Sequence, residues 1–277
     1  MKKVLVFGGT HGNEFTGVWI VEKYAEFFKK KYPTLRLEFI LANPEAHKIN
    51  KRFKDEDLNR AFQFLHEKRP DSFEHHRARE LRDMVLKEEC FVIDLHTTTS
   101  AMGKTIILTD YNPLVLWLGQ ELAAKMSDAR VIGSPDPNKK YLASQVPSSL
   151  MIEVGPVANG LLDPVVFEGT VALLDQILLS LSVAPASPKG EVELYVEVED
   201  VKYPLDEKGQ ISAYIHSGFQ GKDFVKIEGN YTPFRRFSGE EITSKTLGPR
   251  YPIFINEAAY YPQKLAYTLC EKTLKKF

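Results

Sequence analysis

Two histidines and a glutamate in the first hundred residues have the types and spacing of ligands for a divalent metal ion. His11 and Glu14 lie three residues apart in Gly-Gly-Thr-His-Gly-Asn-Glu, directly after an apolar segment, and His96 follows a second apolar segment at residues 91–95. The His11–Glu14 spacing alone could also belong to a pair of surface residues. His96 strengthens the metal interpretation, because open α/β sheets build their sites at the carboxyl ends of strands. Three such ligands leave a fourth position open, which is typical of catalytic zinc. We therefore predict one zinc ion per chain.

Glu153 ends a further apolar segment, at residues 150–152, and is the candidate general base. A zinc hydrolase needs a base beside a water whose pKa the metal lowers to roughly 7. The alternative interpretation is a simple charge at the end of a strand. A position at a third carboxyl strand end favours the catalytic interpretation.

Arg52 and the run Asp57-Leu58-Asn59-Arg60 are candidates for substrate binding. An arginine offers a planar fork that grips a carboxylate at two points, or it stabilises an oxyanion as a tetrahedral intermediate forms. These residues follow a strand-like segment at residues 37–41, and a capped turn would use the same residue types. The sequence pattern by itself leaves both interpretations open.

The elements that must position these side chains alternate between strands and helices. Apolar segments predict strands at residues 4–7, 37–41, 91–95, 105–108 and 150–154. Apolar residues at helical spacing predict helices at residues 16–30, 113–126 and 165–181. This alternation predicts an α/β fold.

The pattern changes after residues 182–190, which concentrate Pro, Ser and Gly. Beyond them Val192, Leu194, Val196 and Val198 alternate with polar residues, as in a half-buried antiparallel strand. Further strands are expected at residues 211–215, 224–227 and 252–255. We predict an α/β catalytic domain at residues 1–184 and a smaller, mostly β domain at residues 190–277.

Composition argues against several classes of function. The 277 residues include 36 Lys and Arg against 37 Asp and Glu, for a formal net charge of -1, so neither nucleic acid nor a membrane surface is an expected partner. We also expect no membrane span, because the longest apolar runs are of strand length. Cys90 and Cys270 are too few for a disulfide framework, which favours a cytoplasmic location.

Five motifs together resemble the aspartoacylase family, which is grouped with the succinylglutamate desuccinylases in the zinc-carboxypeptidase-like fold. In chain order they are Gly-Gly-Thr-His-Gly-Asn-Glu, Asp-Leu-Asn-Arg, Asp-Leu-His-Thr-Thr-Thr-Ser, Ile-Glu-Val-Gly-Pro, and Val-x-Tyr-Pro followed by Phe-Ile-Asn-Glu-Ala-Ala-Tyr-Tyr. They extend from about residue 4 to about residue 261. The resemblance implies a mixed sheet flanked by helices, and a β-rich C-terminal domain that narrows the entrance to the active site.

The same resemblance implies a role for each candidate residue. His11, Glu14 and His96 would hold zinc, Glu153 would activate water, and Arg52 would polarise the acyl carbonyl. Four residues would bind the substrate: Asn59 and Arg60 at the amino acid carboxylate, Tyr260 reaching over the substrate from the C-terminal domain, and Tyr141.

The implied activity is zinc-dependent hydrolysis of the amide bond of N-acyl amino acids, with N-acetyl compounds expected, releasing acetate and a free amino acid such as aspartate. Alternatives are desuccinylase-like or carboxypeptidase-like hydrolysis, and a metal-binding homologue without catalysis. One departure concerns selectivity. Family members selective for acetyl-aspartate carry an arginine between Tyr141 and Glu153, and this segment has none, which leaves Lys139 or Lys140 as substitutes. The acyl group, the amino acid and the number of subunits, with a homodimer as one alternative, stay open.

Overall fold

Apolar segments rich in Val, Ile, Leu and Phe form the strands of the N-terminal half in the computed structural model, which describes residues 2–65, 67 and 72–277. Val4, Val6, Leu5 and Phe7 are all completely buried, so both faces of the first strand are covered, as is usual for parallel strands. The six strands are β1 (Lys2–Gly8), β2 (Leu35–Leu41), β3 (Phe91–Thr97), β4 (Gly103–Leu108), β5 (Ala129–Gly133) and β6 (Ser149–Gly155).

Helices connect these strands, and side-chain caps define where several of them begin. Asn112 accepts a hydrogen bond from the Val115 N–H at 3.1 Å, and Asp163 accepts one from Val166 at 2.9 Å; a proline occupies the first turn in both helices. The α-helices are α1 (Phe15–Trp19), α2 (Ala25–Lys31), α3 (Pro44–Lys48), α4 (Leu58–Ala61), α5 (Phe73–Leu86), α6 (Pro113–Lys125) and α7 (Pro164–Ser182). A π-helical turn, Ile20–Tyr24, joins α1 to α2, and 3-10 turns occur at Phe62–Phe64, Ala143–Gln145 and Ala258–Gln263.

The C-terminal half is mostly β, as predicted. It contains β7 (Glu191–Lys202), β8 (Ala213–Ile215), β9 (Ile227–Arg236), β10 (Glu241–Ile253) and β11 (Leu265–Lys276). Within the described residues, eleven strands form one mixed sheet in the order β2-β1-β3-β6-β4-β5-β7-β11-β10-β9-β8. Because β7 joins β5 through the pairs Ile132–Tyr195 and Gly133–Val196, the two halves share a sheet. The domain division between residues 184 and 190 therefore stays a prediction.

The order β1-β3-β6 places three parallel strands side by side with their carboxyl ends at the same edge. His96 is in register with Glu153 across the β3–β6 pair. The loop that follows β1 carries His11 to this edge. The topology thus brings together residues that are up to 142 positions apart in the chain.

Helix α7 belongs to the larger hydrophobic core. Its 19 residues, with a mean hydropathy of 1.5, are long and apolar enough to cross a membrane by length and composition, contrary to the expectation that no segment would be. However, Leu173, Leu174, Ile177 and Leu178 are completely buried against the sheet. The helix therefore has the packing of a core helix.

The strand prediction at residues 224–227 was mostly wrong, since β9 begins at Ile227. Phe224 lies in a turn with a φ of 60° and packs edge-on against Tyr195 at 4.8 Å between ring centroids. The strand predicted at residues 252–255 ends early, at Ile253, because Phe254 also has a positive φ, 53°. In both places an aromatic residue typical of strands lies in a turn, where Phe254 is buried and Phe224 is partly buried.

Candidate active site

The loop between β1 and α1 holds His11 in a tightly packed turn. Gly9 has a φ of 68°, a conformation that favours glycine. Gly12 packs on α3 so closely that an added Cβ would lie 2.2 Å from the His47 backbone nitrogen. The Gly12 N–H also donates to the Arg52 carbonyl at 3.1 Å. The two glycines therefore allow the close backbone contact that places His11 beside the loop of Arg52.

Glu14 lies between the two histidines. Its Oε1 is 2.5 Å from His11 Nδ1, its Oε2 is 3.0 Å from His96 Nδ1, and the Thr97 N–H donates to Oε2 at 3.1 Å. All three side chains are buried, and one donor atom of each lies within 4.8 Å of the others. Burial opposes the ionised carboxylate, but the two imidazoles hold the pKa of Glu14 well below its usual range.

The far side of each imidazole contacts a carboxylate. His11 Nε2 is 3.3 Å from Asp57 Oδ1, and His96 Nε2 is 2.9 Å from Asp94 Oδ2. Asp94 is completely buried and accepts a hydrogen bond from the Thr10 hydroxyl at 2.7 Å. A carboxylate on the second nitrogen is the usual arrangement behind a metal-binding histidine, because it fixes the tautomer and orients the ring. His11, Glu14 and His96 therefore fit a divalent cation by donor chemistry, spacing and support.

Glu153 lines the same cavity from β6. Burial raises its pKa to about 8, and the negative charges of Glu14 and Glu257 act in the same direction, while His96 and Arg52 oppose the shift. Burial and the surrounding charges thus place the Glu153 carboxyl group where it can both accept and release a proton in the neutral range.

Arg52 is held in place by Asp57. The guanidinium Nε and Nη2 both lie 3.0 Å from Asp57 Oδ2, and Nη1 is 3.6 Å from Glu14 Oε1. Asp57 also caps α4 through the Asn59 N–H at 3.0 Å. A capped turn and a place beside the candidate site are thus not mutually exclusive, since Asp57 caps the helix and also contacts both His11 and Arg52.

Asn59 and Arg60 extend from α4 into the cavity. The Asn59 side-chain carbonyl accepts a hydrogen bond from the Leu142 N–H at 3.2 Å, which attaches α4 to the segment that carries Tyr141. The Arg60 guanidinium lies 5.2 Å from the centre of the Tyr141 ring. Within residues 2–65, 67 and 72–277, no carboxylate forms an ion pair with Arg60, so this cation faces the cavity without an anionic partner.

Tyr260 reaches the cavity from the 3-10 turn Ala258–Gln263 of the C-terminal half. Its ring packs edge-on against Phe254 at 5.5 Å between centroids. Burial raises the pKa of the phenol, and the charge of Glu153 adds to the shift, so the hydroxyl is a proton donor across the neutral range.

Comparison with known proteins identifies the family. The model of the succinylglutamate desuccinylase/aspartoacylase catalytic domain matches residues 1–181, and the model of the AstE/AspA barrel-sandwich hybrid domain matches residues 190–272. The chain belongs to this family. A probable aspartoacylase of Trichodesmium erythraeum is 33% identical, covering 98% of this chain and 97% of that protein.

Two other proteins similar to this chain are named for deacylation of other acylated amino acids or as an aminoacylase, not as aspartoacylases. An N-acyl-aromatic-L-amino acid amidohydrolase (carboxylate-forming) of Xenopus tropicalis is 34% identical, covering 99% of this chain and 94% of that protein. The crystal structure of murine aminoacylase 3 superimposes with a TM-score of 0.90 at 29% identity, covering 99% of this chain and 96% of that one. The fold of an α/β domain followed by a β-rich domain is thereby confirmed.

In this family member all nine site residues predicted from the sequence line one cavity: His11, Glu14, Arg52, Asn59, Arg60, His96, Tyr141, Glu153 and Tyr260. Their individual roles stay predictions. Lys139 and Lys140, the suggested replacements for the missing arginine, do not line it and are exposed.

Sequence reasoning missed several other lining residues, which are Ile107, Ser134, Met151, Glu197, Phe254 and Glu257. For Glu257 a signal existed, since it lies in the same motif as Tyr260. For Glu197 there was none, because in the sequence it is one of several glutamates on the polar face of an alternating strand.

Proposed function

We propose that this protein is a zinc-dependent hydrolase that cleaves the amide bond of N-acyl amino acids, with N-acetyl compounds as the expected substrates. The observation that carries the proposal is the convergence, in one cavity, of the three-donor group His11, Glu14 and His96 with Glu153 and with Arg60, which has no ion-pair partner among the described residues. The named relatives support it, because an aspartoacylase, an amidohydrolase and an aminoacylase all act on acylated amino acids.

His11, Glu14 and His96 would hold the metal. When bound, a zinc ion supplies a Lewis acid that polarises the acyl carbonyl and makes a water molecule acidic near neutral pH. Glu153 would accept the proton of the attacking water and then deliver it to the leaving amine. Arg52, held rigidly by Asp57, would stabilise the negative charge that develops on the carbonyl oxygen.

Asn59 and Arg60 would bind the α-carboxylate of the substrate. No carboxylate of the described residues pairs with the Arg60 guanidinium, which can therefore bind a substrate carboxylate at two points, and the Tyr141 ring packs beside it. Tyr260, protonated and carried by the C-terminal half, would donate a hydrogen bond from the opposite side of the substrate.

The test is a hydrolysis screen of the purified, zinc-loaded protein. Acetyl, formyl and succinyl derivatives of acidic, neutral and aromatic amino acids are offered, and the free amine is measured. We expect hydrolysis of acetyl derivatives, and we expect Glu153→Gln to lower its rate by about 100-fold or more. Faster release of succinate than of acetate would favour a desuccinylase. Zinc binding without hydrolysis of any compound would mean a non-catalytic metal-binding homologue.

Two further proposals concern the cellular location and the oligomeric state of the enzyme. Cys90 and Cys270 are both free, buried thiols, which supports a cytoplasmic location. We also propose a homodimer, which sedimentation of the full chain would test. The expected partner is a small molecule, with no nucleic acid or membrane involved.

A further inference from the structure

Glu197 brings a carboxylate into the active-site cavity from the C-terminal half. It lies on β7 just beyond the pairs Ile132–Tyr195 and Gly133–Val196, so the short parallel contact between β5 and β7 places it beside Ser134. Both residues line the cavity that holds the predicted metal ligands.

Near Glu197 the cavity wall is apolar in its buried part and carries a negative charge where it meets solvent. Ile107, Met151 and Phe254 are at most 9% exposed and form an apolar wall, whereas Glu197 is exposed to solvent. A substrate side chain that passes along this wall would therefore have an apolar stem and would reach a carboxylate where the cavity meets water.

Among the residues that the structure describes, none is a cationic partner of the Glu197 carboxylate. Neither Arg52 nor Arg60, nor any other lysine or arginine in the part of the chain that the structure describes, forms an ion pair with it. Although Glu197 reaches solvent, protein atoms at the cavity wall displace part of the water around its carboxylate and raise its pKa. Asp200 adds to the shift, and the Ser134 hydroxyl stabilises the charged form. A cation from outside would relieve the repulsion and the loss of hydration.

Building on the proposed function, we propose that Glu197 selects Nα-acyl amino acids whose side chain has an aliphatic stem and a positively charged end, such as those of lysine, ornithine and arginine. Arg60 would bind the α-carboxylate and Glu197 the cationic end, so the two charged ends of the substrate would meet opposite charges. A side-chain carboxylate would meet Glu197 with a like charge, and no third arginine of the described residues lines the cavity to compensate. Acetyl-aspartate should therefore be a poor substrate.

The first experiment compares kcat/KM for Nα-acetyl-lysine, Nα-acetyl-norleucine and Nα-acetyl-aspartate. Lysine and norleucine side chains share an apolar stem and differ in the terminal charge. We expect a lysine-to-norleucine ratio of roughly three to ten, the scale of a partly exposed ion pair, and a decrease of this ratio in high salt. Acetyl-aspartate should be the slowest of the three.

Variants assign the preference to Glu197. In Glu197→Gln the lysine-to-norleucine ratio should fall to about one, and in Glu197→Lys it should drop below one while acetyl-aspartate improves. The matched control is Glu199→Gln, which removes the same charge two residues further along β7, outside the cavity, and should keep the wild-type ratio. A ratio that stays unchanged in Glu197→Gln, or a wild-type ratio of one or less, overturns the inference.

A binding measurement separates this inference from the proposed function. Calorimetric titration of Glu153→Gln with Nα-acetyl-lysine and Nα-acetyl-norleucine reports recognition without turnover. Tighter binding of the lysine compound, lost when Glu197→Gln is added, supports the inference even if the wild type hydrolyses neither. Efficient hydrolysis of acetyl-norleucine with no preference in either measurement supports the proposed function and refutes the inference.

Discussion

Glu257 Oε2 accepts hydrogen bonds from the Thr99 N–H at 2.8 Å and from the Thr99 hydroxyl at 2.9 Å. Thr99 lies three residues after His96, and Glu257 lies three residues before Tyr260. The other oxygen, Oε1, accepts a hydrogen bond from the Ala259 N–H at 3.0 Å and so caps the 3-10 turn Ala258–Gln263. One carboxylate therefore connects the segment that directly follows β3, the strand of the predicted metal ligand His96, with the turn that carries Tyr260.

Glu257→Ala should lower kcat/KM more than it lowers metal content. Loss of these hydrogen bonds leaves partly buried donors without their partner, at a cost of about 1–3 kcal/mol in the free energy of unfolding. Tyr260 would then no longer be held over the cavity. Steady-state kinetics, chemical denaturation and elemental analysis measure the three quantities. Wild-type kcat/KM in a folded Glu257→Ala protein would contradict a positioning role.

His11→Ala and His96→Ala should each lose the metal ion, because three protein ligands are the minimum for a tight catalytic site. Asp94→Asn should keep a weaker site, with a metal affinity lower by about 10- to 100-fold, since it removes only the support behind His96. Elemental analysis after dialysis against a graded chelator measures both effects. The control is His216→Ala, outside the cavity. Full metal content in His96→Ala would remove that residue from the site.

Glu153→Gln should retain the metal and lower kcat by about 100-fold or more, the scale of a lost general base. The amide keeps the shape of the side chain but cannot accept the proton. Rapid-quench measurement of product, together with metal analysis, separates this effect from misfolding. Glu168→Gln, an exposed residue of α7, should be indistinguishable from the wild type. Unchanged turnover in Glu153→Gln would make Glu153 a structural charge.

Esterification of the substrate's α-carboxylate should reduce kcat/KM by about 30- to 1000-fold, because Arg60 would be left unpaired on binding. In Arg60→Ala the acid and its methyl ester should differ much less, whereas the exposed Arg79→Ala should keep the wild-type ratio. Parallel assays of acid and ester give these ratios. Equal hydrolysis of both compounds by the wild type would show that the site does not bind the carboxylate.

Asp223 should make stability depend on pH. This residue is 8% exposed, and burial raises its pKa from 3.8 to about 6, although backbone N–H groups including that of Ile255 partly stabilise the charge. The folded protein thus keeps the proton up to about pH 6, while the unfolded chain loses it near 3.8, so this contribution to stability disappears as pH rises through that window.

The Asp223→Asn variant does not titrate. Its free energy of unfolding relative to the wild type should therefore rise between about pH 4 and pH 6, by up to about 3 kcal/mol. Urea denaturation of both proteins at several pH values measures the difference. A difference independent of pH would mean that Asp223 ionises in the folded protein at its ordinary pKa.

Local patterns in the sequence predicted most of the elements. Apolar segments and helical spacing depend on neighbouring residues only, so β1, β3, β6, α6 and α7 could be recognised without the fold. The metal group could also be predicted, because His11 and Glu14 are near in sequence and each histidine follows an apolar strand.

The tertiary structure decided the contacts that no local pattern encodes. Glu14 meets His96 across 82 residues, and Thr99 meets Glu257 across 158 residues. Whether residues so far apart in the chain meet depends on the order of the strands. It also depends on the turns at Phe224 and Phe254, where packing of aromatic rings overrides strand preference. Glu197 is the clearest case: alternation predicted a solvent-facing glutamate, and only the pairing of β7 with β5 directs it into the cavity, because the register of two distant strands is set by the whole sheet.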